Sequence, residues 1–307
     1  MSNLPRTYPN NNTDNTSPSS SPNKSPNLGK DIMRGLTAGA ATSLAFAPYD
    51  RAMYLAISHN RLFLNVKNFV KPYHGFQQVL LNRSISSGMY YIMQGSLNDY
   101  FYPYLRHQLQ FSENSAQFLV GAAAGCLSGI LTNGLSTIKY YTWGDTTRTF
   151  RSSLSYMYTT GGIKPFMRGM PPTAMRDMVF GCVYEVLRHK ITKDATGNNP
   201  PTDIIIFTAN LMAASAGTLI TSPLNYARNL QYATHPSEPT PTMLNIWKKL
   251  KNEAKQLPPQ SRPQFYSGKL QFGPGLFRVA LGATVSQYVV DNCDKAVDHC
   301  LKYVPGN

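Results

Sequence analysis

Pro48-Tyr49-Asp50-Arg51-Ala52-Met53, Gly134-Leu135-Ser136-Thr137-Ile138-Lys139 and Pro223-Leu224-Asn225-Tyr226-Ala227-Arg228 are three versions of one corner, each near the end of an apolar, glycine-studded stretch. The corners begin 86 and 89 residues apart. A period of that length, with one helix-bending corner per unit, predicts a helical motif used three times over. Proline bends a helix because it lacks an N–H and its ring collides with the carbonyl four residues back. Glycine permits a bend by flexibility alone. The helix carrying Gly134 is therefore expected to bend less sharply than those carrying Pro48 and Pro223.

Outward from the corners, six helical segments can be placed: about Asp31–Asn60, Gly75–Tyr104, Ser115–Trp143, Gly169–Lys193, Thr202–Tyr232 and Gly273–Tyr303. At ~1.5 Å per residue, segments of roughly 25–30 residues cross a bilayer core of ~30 Å with some tilt. The odd-numbered segments are cleanly apolar, whereas the even ones carry Arg and Gln within the span, as helices lining a wet interior do. Small residues recur four apart at Gly35 and Gly39, at Gly121, Gly125 and Gly129, and at Ala213 and Gly217. Such strips let a neighbouring backbone approach closely. Between the long segments of each pair, Arg61–Val70, Thr149–Thr160 and Thr242–Gln256 read as short amphipathic surface helices. The fold class is thus an all-α membrane protein, with six transmembrane helices in three pseudo-repeats of two. Residues 29–112, 113–197 and 198–307 form the repeats, after an Asn/Ser/Pro-rich tail over 1–28 that composition makes disordered. The tail has neither the apolar core of a secretory signal nor the Arg-rich amphipathic pattern of a presequence.

Composition narrows the function. Hydrophobic content of 42% and a mean hydropathy of -0.28 understate the long segments, because the tail and the polar stretches near 145–160 and 233–263 dilute them. A formal charge of +14 suits nucleic acid or an anionic membrane and anionic solutes. The basic residues are scattered, with no run of five and no base-reading motif, so no nucleic-acid partner is expected. Cys126, Cys182, Cys293 and Cys300 show no Cys-x-x-Cys pair and no zinc-type His spacing, which predicts free thiols and no metal. No phosphate-cradling loop, His-Glu-x-x-His or Gly-x-Ser-x-Gly element is present, so neither an enzyme nor a cofactor is expected.

The corners resemble the Pro-x-[Asp/Glu]-x-x-[Lys/Arg] signature of the mitochondrial carrier family. The long–short–long pattern resembles that family's architecture over residues 30–304. The resemblance implies a monomeric six-helix transporter in the mitochondrial inner membrane, with the bilayer and its cardiolipin as lipid partners and a small metabolite as cargo. It also implies a matrix gate of corner charges, here Asp50, Lys139, Asn225 and Arg228, with Pro48, Gly134 and Pro223 as kinks. Carried over by position, Asp50 pairs with Lys139, Ser136 offers Arg228 only a hydrogen bond, and Asn225 faces Met53, where no bridge forms. A gate with one bridge is weaker than a full ring and favours uniport over obligatory exchange.

The family's even helices commonly show Gly-x6-Arg-x-x-Pro, the arginine contacting substrate. Arg176 follows Gly169 at that spacing, Arg278 precedes Gly282 with Leu281 in place of proline, and Arg83 stands eight after Gly75, leaving Asn82 as an alternative. The resemblance makes Arg83, Arg176 and Arg278, with Asp177, the substrate-binding set. Buried guanidinium groups must meet water, a carboxylate or an anionic ligand. The cytoplasmic gate would use Tyr184, Glu185 and Arg188, although Glu185 follows Arg176 by nine residues where about thirteen is usual. Asp291 follows Arg278 by thirteen, with Asp294 and Lys295 at its partner slot, and Asp99 is three residues late. Three arginines favour a nucleotide such as ATP or ADP, with Tyr90, Tyr91 and Tyr184 as stacking surfaces or as packing. Two alternatives stay open. Arg176-Asp177 resembles the pair of amino-acid-type carriers, and the missing gate charges fit a non-transporting carrier-fold adaptor of the outer membrane. The tail and the eroded signature also fit a carrier that an intracellular pathogen delivers to host mitochondria.

Overall fold

The structure, a computed structural model, describes residues 28–197, 202–282 and 285. Among them the long helices are α1 (Leu28–Ser58), α2 (Phe76–Ser96), α3 (Glu113–Gly144), α5 (Met170–Thr196) and α6 (Asp203–Ala233). Shorter helices are α4 (Phe150–Gly161), α7 (Met243–Lys255) and α8 (Arg262–Leu270), and a further helix, α9, covers 272–282. No strand occurs among the described residues. The expected tail, Asp291, Asp294, Lys295, Cys293, Cys300 and most of the sixth expected helix lie outside them, as do the side chains of Tyr90 and Tyr91.

Local chemistry sets the boundaries. Ser112 caps α3 by accepting from the Ser115 N–H, Thr242 caps α7 by accepting from the Asn245 N–H, and Thr149 and Ser152 form a reciprocal capping box at α4. Gly169 starts α5 in the left-handed region at φ 69°, where a Cβ would run into the Tyr232 ring, and Pro171 then occupies the first turn. Hydroxyls bond back to the helix in the turn before each corner: Thr132 to the Ser128 carbonyl at 2.8 Å, Thr221 to Gly217 at 2.7 Å, and Ser43 to Gly39 at 2.7 Å. Such back-bonding eases a bend.

Two expected elements differ. The stretch 61–70 is not an α-helix but a loop with a single 3-10 turn, Val66–Phe69. Buried Asn68 causes this, because its amide donates to the carbonyls of Leu62 at 2.9 Å and Phe63 at 3.1 Å, which draws the chain back on itself. The second long helix stops as an α-helix at Ser96 and continues in two π-helical turns, Leu97–Phe101 and Tyr104–Gln108. Pro103 lies between them and cannot donate to an α-helical ladder.

Ser115–Gly144 and Asp203–Ala233 are long and apolar enough to cross a membrane, with mean hydropathies of 1.6 and 1.7. α1 falls short among the described residues, because Arg34 and Asp50 bracket its apolar run. The most extensive contacts join α1 to α2, α3 to α5 and α5 to α6. The small-residue strips make these contacts. A Cβ on Gly39 would lie 2.9 Å from the Arg83 carbonyl oxygen, one on Gly121 2.8 Å from the Gly181 carbonyl oxygen, and one on Gly217 2.9 Å from the Phe180 ring. Gly125 sits directly on the Asp177 carbonyl. The corner ends of α1, α3 and α6 meet in a buried cluster that includes Ala47, Tyr54, Leu55, Tyr140, Trp143 and Tyr232, with Val79 of α2. Each large side chain buried there stabilises the fold by about 2–3 kcal/mol.

Candidate functional site

The corner of α1 brings the Asp50 carboxylate against two guanidinium groups from different helices. Arg83 of α2 pairs with Asp50 through Nη2, and Arg278 of α9 donates from Nε to Asp50 Oδ1 at 3.1 Å. The three side chains keep 16%, 23% and 23% of their surface exposed for Asp50, Arg83 and Arg278, so none is sealed from water. Arg83 Nε is buried with no hydrogen-bond partner among the described residues. The Arg278 guanidinium also lies over the Phe46 ring, 5.4 Å from its centroid.

The expected Asp50–Lys139 bridge is not made. Asp50 is taken by the two arginines, and Lys139, 7% exposed, lies over the Tyr140 ring at 4.3 Å and the Trp143 ring at 5.1 Å. An ammonium over an aromatic face regains part of the hydration it loses. Lys139 nonetheless remains within Coulombic reach of Arg83, Asp50 and Arg176. Arg228 does not reach Ser136 either. Its Nη2 donates to Asn225 Oδ1 at 2.6 Å and to the Tyr140 hydroxyl at 3.0 Å, while Ser136 lies 3.5 Å from Asn82 Oδ1. Met53, with no side-chain charge, offers its carbonyl to Gln271.

Aromatic rings therefore occupy the level where a ring of bridges was expected. Tyr140 stacks on Tyr232 at 4.8 Å, meets Tyr54 at 4.8 Å, and packs edge-on to Trp143 at 5.2 Å. The Tyr232 hydroxyl donates to Asn133 Oδ1 at 2.8 Å and also meets Thr173 at 3.0 Å, which ties α6 to α3 and α5. Sequence reasoning passed over these rings. Their signal was positional, since Tyr54 and Tyr140 each stand six residues after the start of a corner, and Trp143 and Tyr232 each nine after.

In α5, Arg176 pairs with its neighbour Asp177, with Nε to Oδ1 at 2.6 Å. Asp177 in turn rests on the glycine strip of α3, where a Cβ on Gly129 would lie 2.9 Å from its Oδ2. Both are partly exposed. Arg176 is balanced by Asp177, whereas Arg83 and Arg278 share the single carboxylate of Asp50, which leaves that cluster with a surplus of positive charge. Two turns further along α5, near its middle, the Tyr184 hydroxyl donates to Asn210 of α6 at 3.0 Å, and Arg188 pairs with Glu185 one turn earlier at 2.8 Å. Of the kink residues, Pro48 lies inside α1, Pro223 inside α6, and Gly134 inside an unbroken α3.

Two recesses lie elsewhere, and no residue of the charge cluster lines them. One of about 390 Å³ sits between the N-termini of α5 and α7, bordered by Lys164, Arg168, Gly169, Gln231, Thr242 and Met243. The other, about 270 Å³, lies between the end of α1 and α8, with Arg61, Tyr226, Lys269 and Gln271 on its walls. Cys126 and Cys182 are free thiols, and no group of metal-ligating side chains occurs among the described residues.

Close-packed helices, two of them long and apolar enough to cross a membrane, thus surround side chains with a surplus of positive charge. Residues 111–195, which take in α3, α4 and nearly all of α5, match the family model described as mitochondrial carrier protein. Over that stretch the chain is similar to the mitochondrial carrier family. No curated protein matches the chain.

Proposed function

We propose that this chain is a three-repeat, six-helix carrier that moves a nucleotide such as ATP or ADP across the mitochondrial inner membrane by alternating access. The carrying observation is the joining of Arg83 and Arg278 on Asp50, with Lys139 and Arg176 beside them. Phosphate groups suit such a site, because guanidinium forks match their oxygens and several charges can be met at once. An amino-acid cargo is less well served, since Arg176 and Asp177 already satisfy one another. Solute binding at Arg83 and Arg278 would release the α1 corner and let the odd helices swing. The gate residues would be Asp50, Lys139, Asn225 and Arg228 at the corners and Tyr184, Glu185 and Arg188 further along α5. A monomer suffices for this cycle. The recess between α5 and α7, at two helix N-termini, suits a lipid phosphate such as that of cardiolipin.

One observation favours a second reading, a carrier-fold adaptor of the outer membrane: no ion pair joins the corners of α1, α3 and α6 to one another among the described residues. Uptake of labelled ATP, ADP and a panel of amino acids into proteoliposomes separates the readings. Saturable ATP uptake, lost in Arg278→Ala, is the expected result. Folded protein that takes up nothing would leave the adaptor.

A further inference from the structure

We infer that Asp50 is a specificity-determining residue: a tethered carboxylate that stands where the solute's anionic group must bind, and that the solute has to displace from Arg83 and Arg278. The inference rests on the transport reading above and deepens it.

Asp50 belongs to α1, while its partners come from α2 and α9, so one carboxylate bridges three helices. Neither arginine is saturated by it. A guanidinium has five N–H donors, and the pairs here engage Nη2 of Arg83 and Nε of Arg278, while Arg83 Nε is buried with no partner among the described residues. A ligand with more oxygens and more charge can therefore bind the two arginines more fully than Asp50 does.

Tethering sets the threshold for that exchange. A group held on the same chain acts at an effective concentration of mM or above, with no translational freedom left to lose. A free monocarboxylate offers the arginines the same chemistry as Asp50 and loses to it. A polyphosphate exceeds it in charge and in acceptor count. The site thus admits polyanions and discourages single carboxylates without any steric filter.

Displacement also has somewhere to send the carboxylate. Lys139 of α3 lies over Tyr140 and Trp143, rings packed in the same cluster as Ala47 and Tyr54 of the α1 corner, and among the described residues it has no carboxylate at ion-pair distance. A released Asp50 would move toward it, so that solute binding changes which helices the α1 corner is tied to.

The test uses the full-length protein in detergent, with ATP binding measured by calorimetry and acetate as the competing monocarboxylate. Asp50→Asn keeps the shape and removes the charge. Its ATP dissociation constant is expected to fall about tenfold, a change of the size that loss of one competing ion pair produces. Acetate is expected to compete in this variant at concentrations that wild type ignores, and Asp50→Glu to restore wild-type behaviour. Unchanged or weaker ATP binding in folded Asp50→Asn protein would overturn the inference while leaving the transport reading intact. If Asp50→Asn does not fold, carbodiimide labelling of wild type replaces it. Labelling at Asp50 is expected to rise when ATP is added, and labelling that stays level or drops would overturn the inference. Wild type that neither binds nor takes up ATP would remove the nucleotide reading and the inference with it.

Discussion

Arg168 is the side chain on which the chain beyond α6 depends most. Its guanidinium donates to the carbonyls of Thr234 at 2.6 Å, His235 at 2.8 Å, Pro236 at 3.0 Å and Glu238 at 2.6 Å. Its own carbonyl accepts from Asn133 of α3 at 3.0 Å, and the residue is only 7% exposed. No carboxylate pairs with it among the described residues, so carbonyl dipoles offset the loss of hydration. Arg168→Met keeps the bulk and orphans four carbonyls, which should destabilise the protein by about 3 kcal/mol. Arg168→Lys should recover part of that, because an ammonium has three donors and no planar fork. Thermal unfolding in detergent is expected to rank wild type above Lys and Lys above Met. Equal midpoints would mean that water re-pairs the carbonyls and that the clamp contributes little.

Two glycines of α3 look alike in sequence and differ in what surrounds them. A Cβ on Gly125 would enter the Asp177 backbone, whereas one on Gly134 meets nothing within 4 Å. Gly125→Ala must push α3 away from α5 and should cost about 1–3 kcal/mol, the usual range for overpacking. Gly134→Ala meets no clash and should raise stability by up to about 1 kcal/mol through helix propensity. Unfolding midpoints of the two variants check both signs, and a drop for Gly134→Ala would show that the bend at this corner is needed in the folded state. The same elements show how far the sequence could be read. The long helices were legible because long apolar runs, small residues spaced four apart and the repeated corners mark them. The 3-10 turn at Val66–Phe69, the π-helical turns around Pro103 and the helix α8 were not, because a single buried amide, a proline within a helix and a polar Pro-containing stretch override periodicity locally. Motif spacing located Arg83, Arg278 and Asp50 as charge-bearing positions. It could not tell which pairs would form, since Asp50 chooses among three cations by reach, and reach depends on how α1, α2 and α9 converge.

At the scale of the molecule, the carrier reading makes the ties between the corners of α1, α3 and α6 what holds the state open to one side. Among the described residues those ties are rings and hydrogen bonds: the stacked Tyr140 and Tyr232, Tyr54 beside them, and Lys139 and Arg228 resting on the same aromatic faces. A cation over a ring is worth about 0.5–2 kcal/mol. Contacts of this kind are short-ranged but tolerate sliding, whereas inter-helix ion pairs demand one geometry. If the carrier reading holds, the empty protein should therefore reorient without a solute to offset broken bridges. Initial ATP influx into proteoliposomes is expected to be the same with and without internal ATP, to within about fivefold, since a barrier difference below about 1 kcal/mol changes a rate by no more than that. Lys139→Met should leave that independence in place, because it removes a cation and not an inter-helix bridge. Strict dependence of influx on preloading would sink the argument, because it would mean that the aromatic level closes as firmly as a complete ring of ion pairs and opens only for a bound solute.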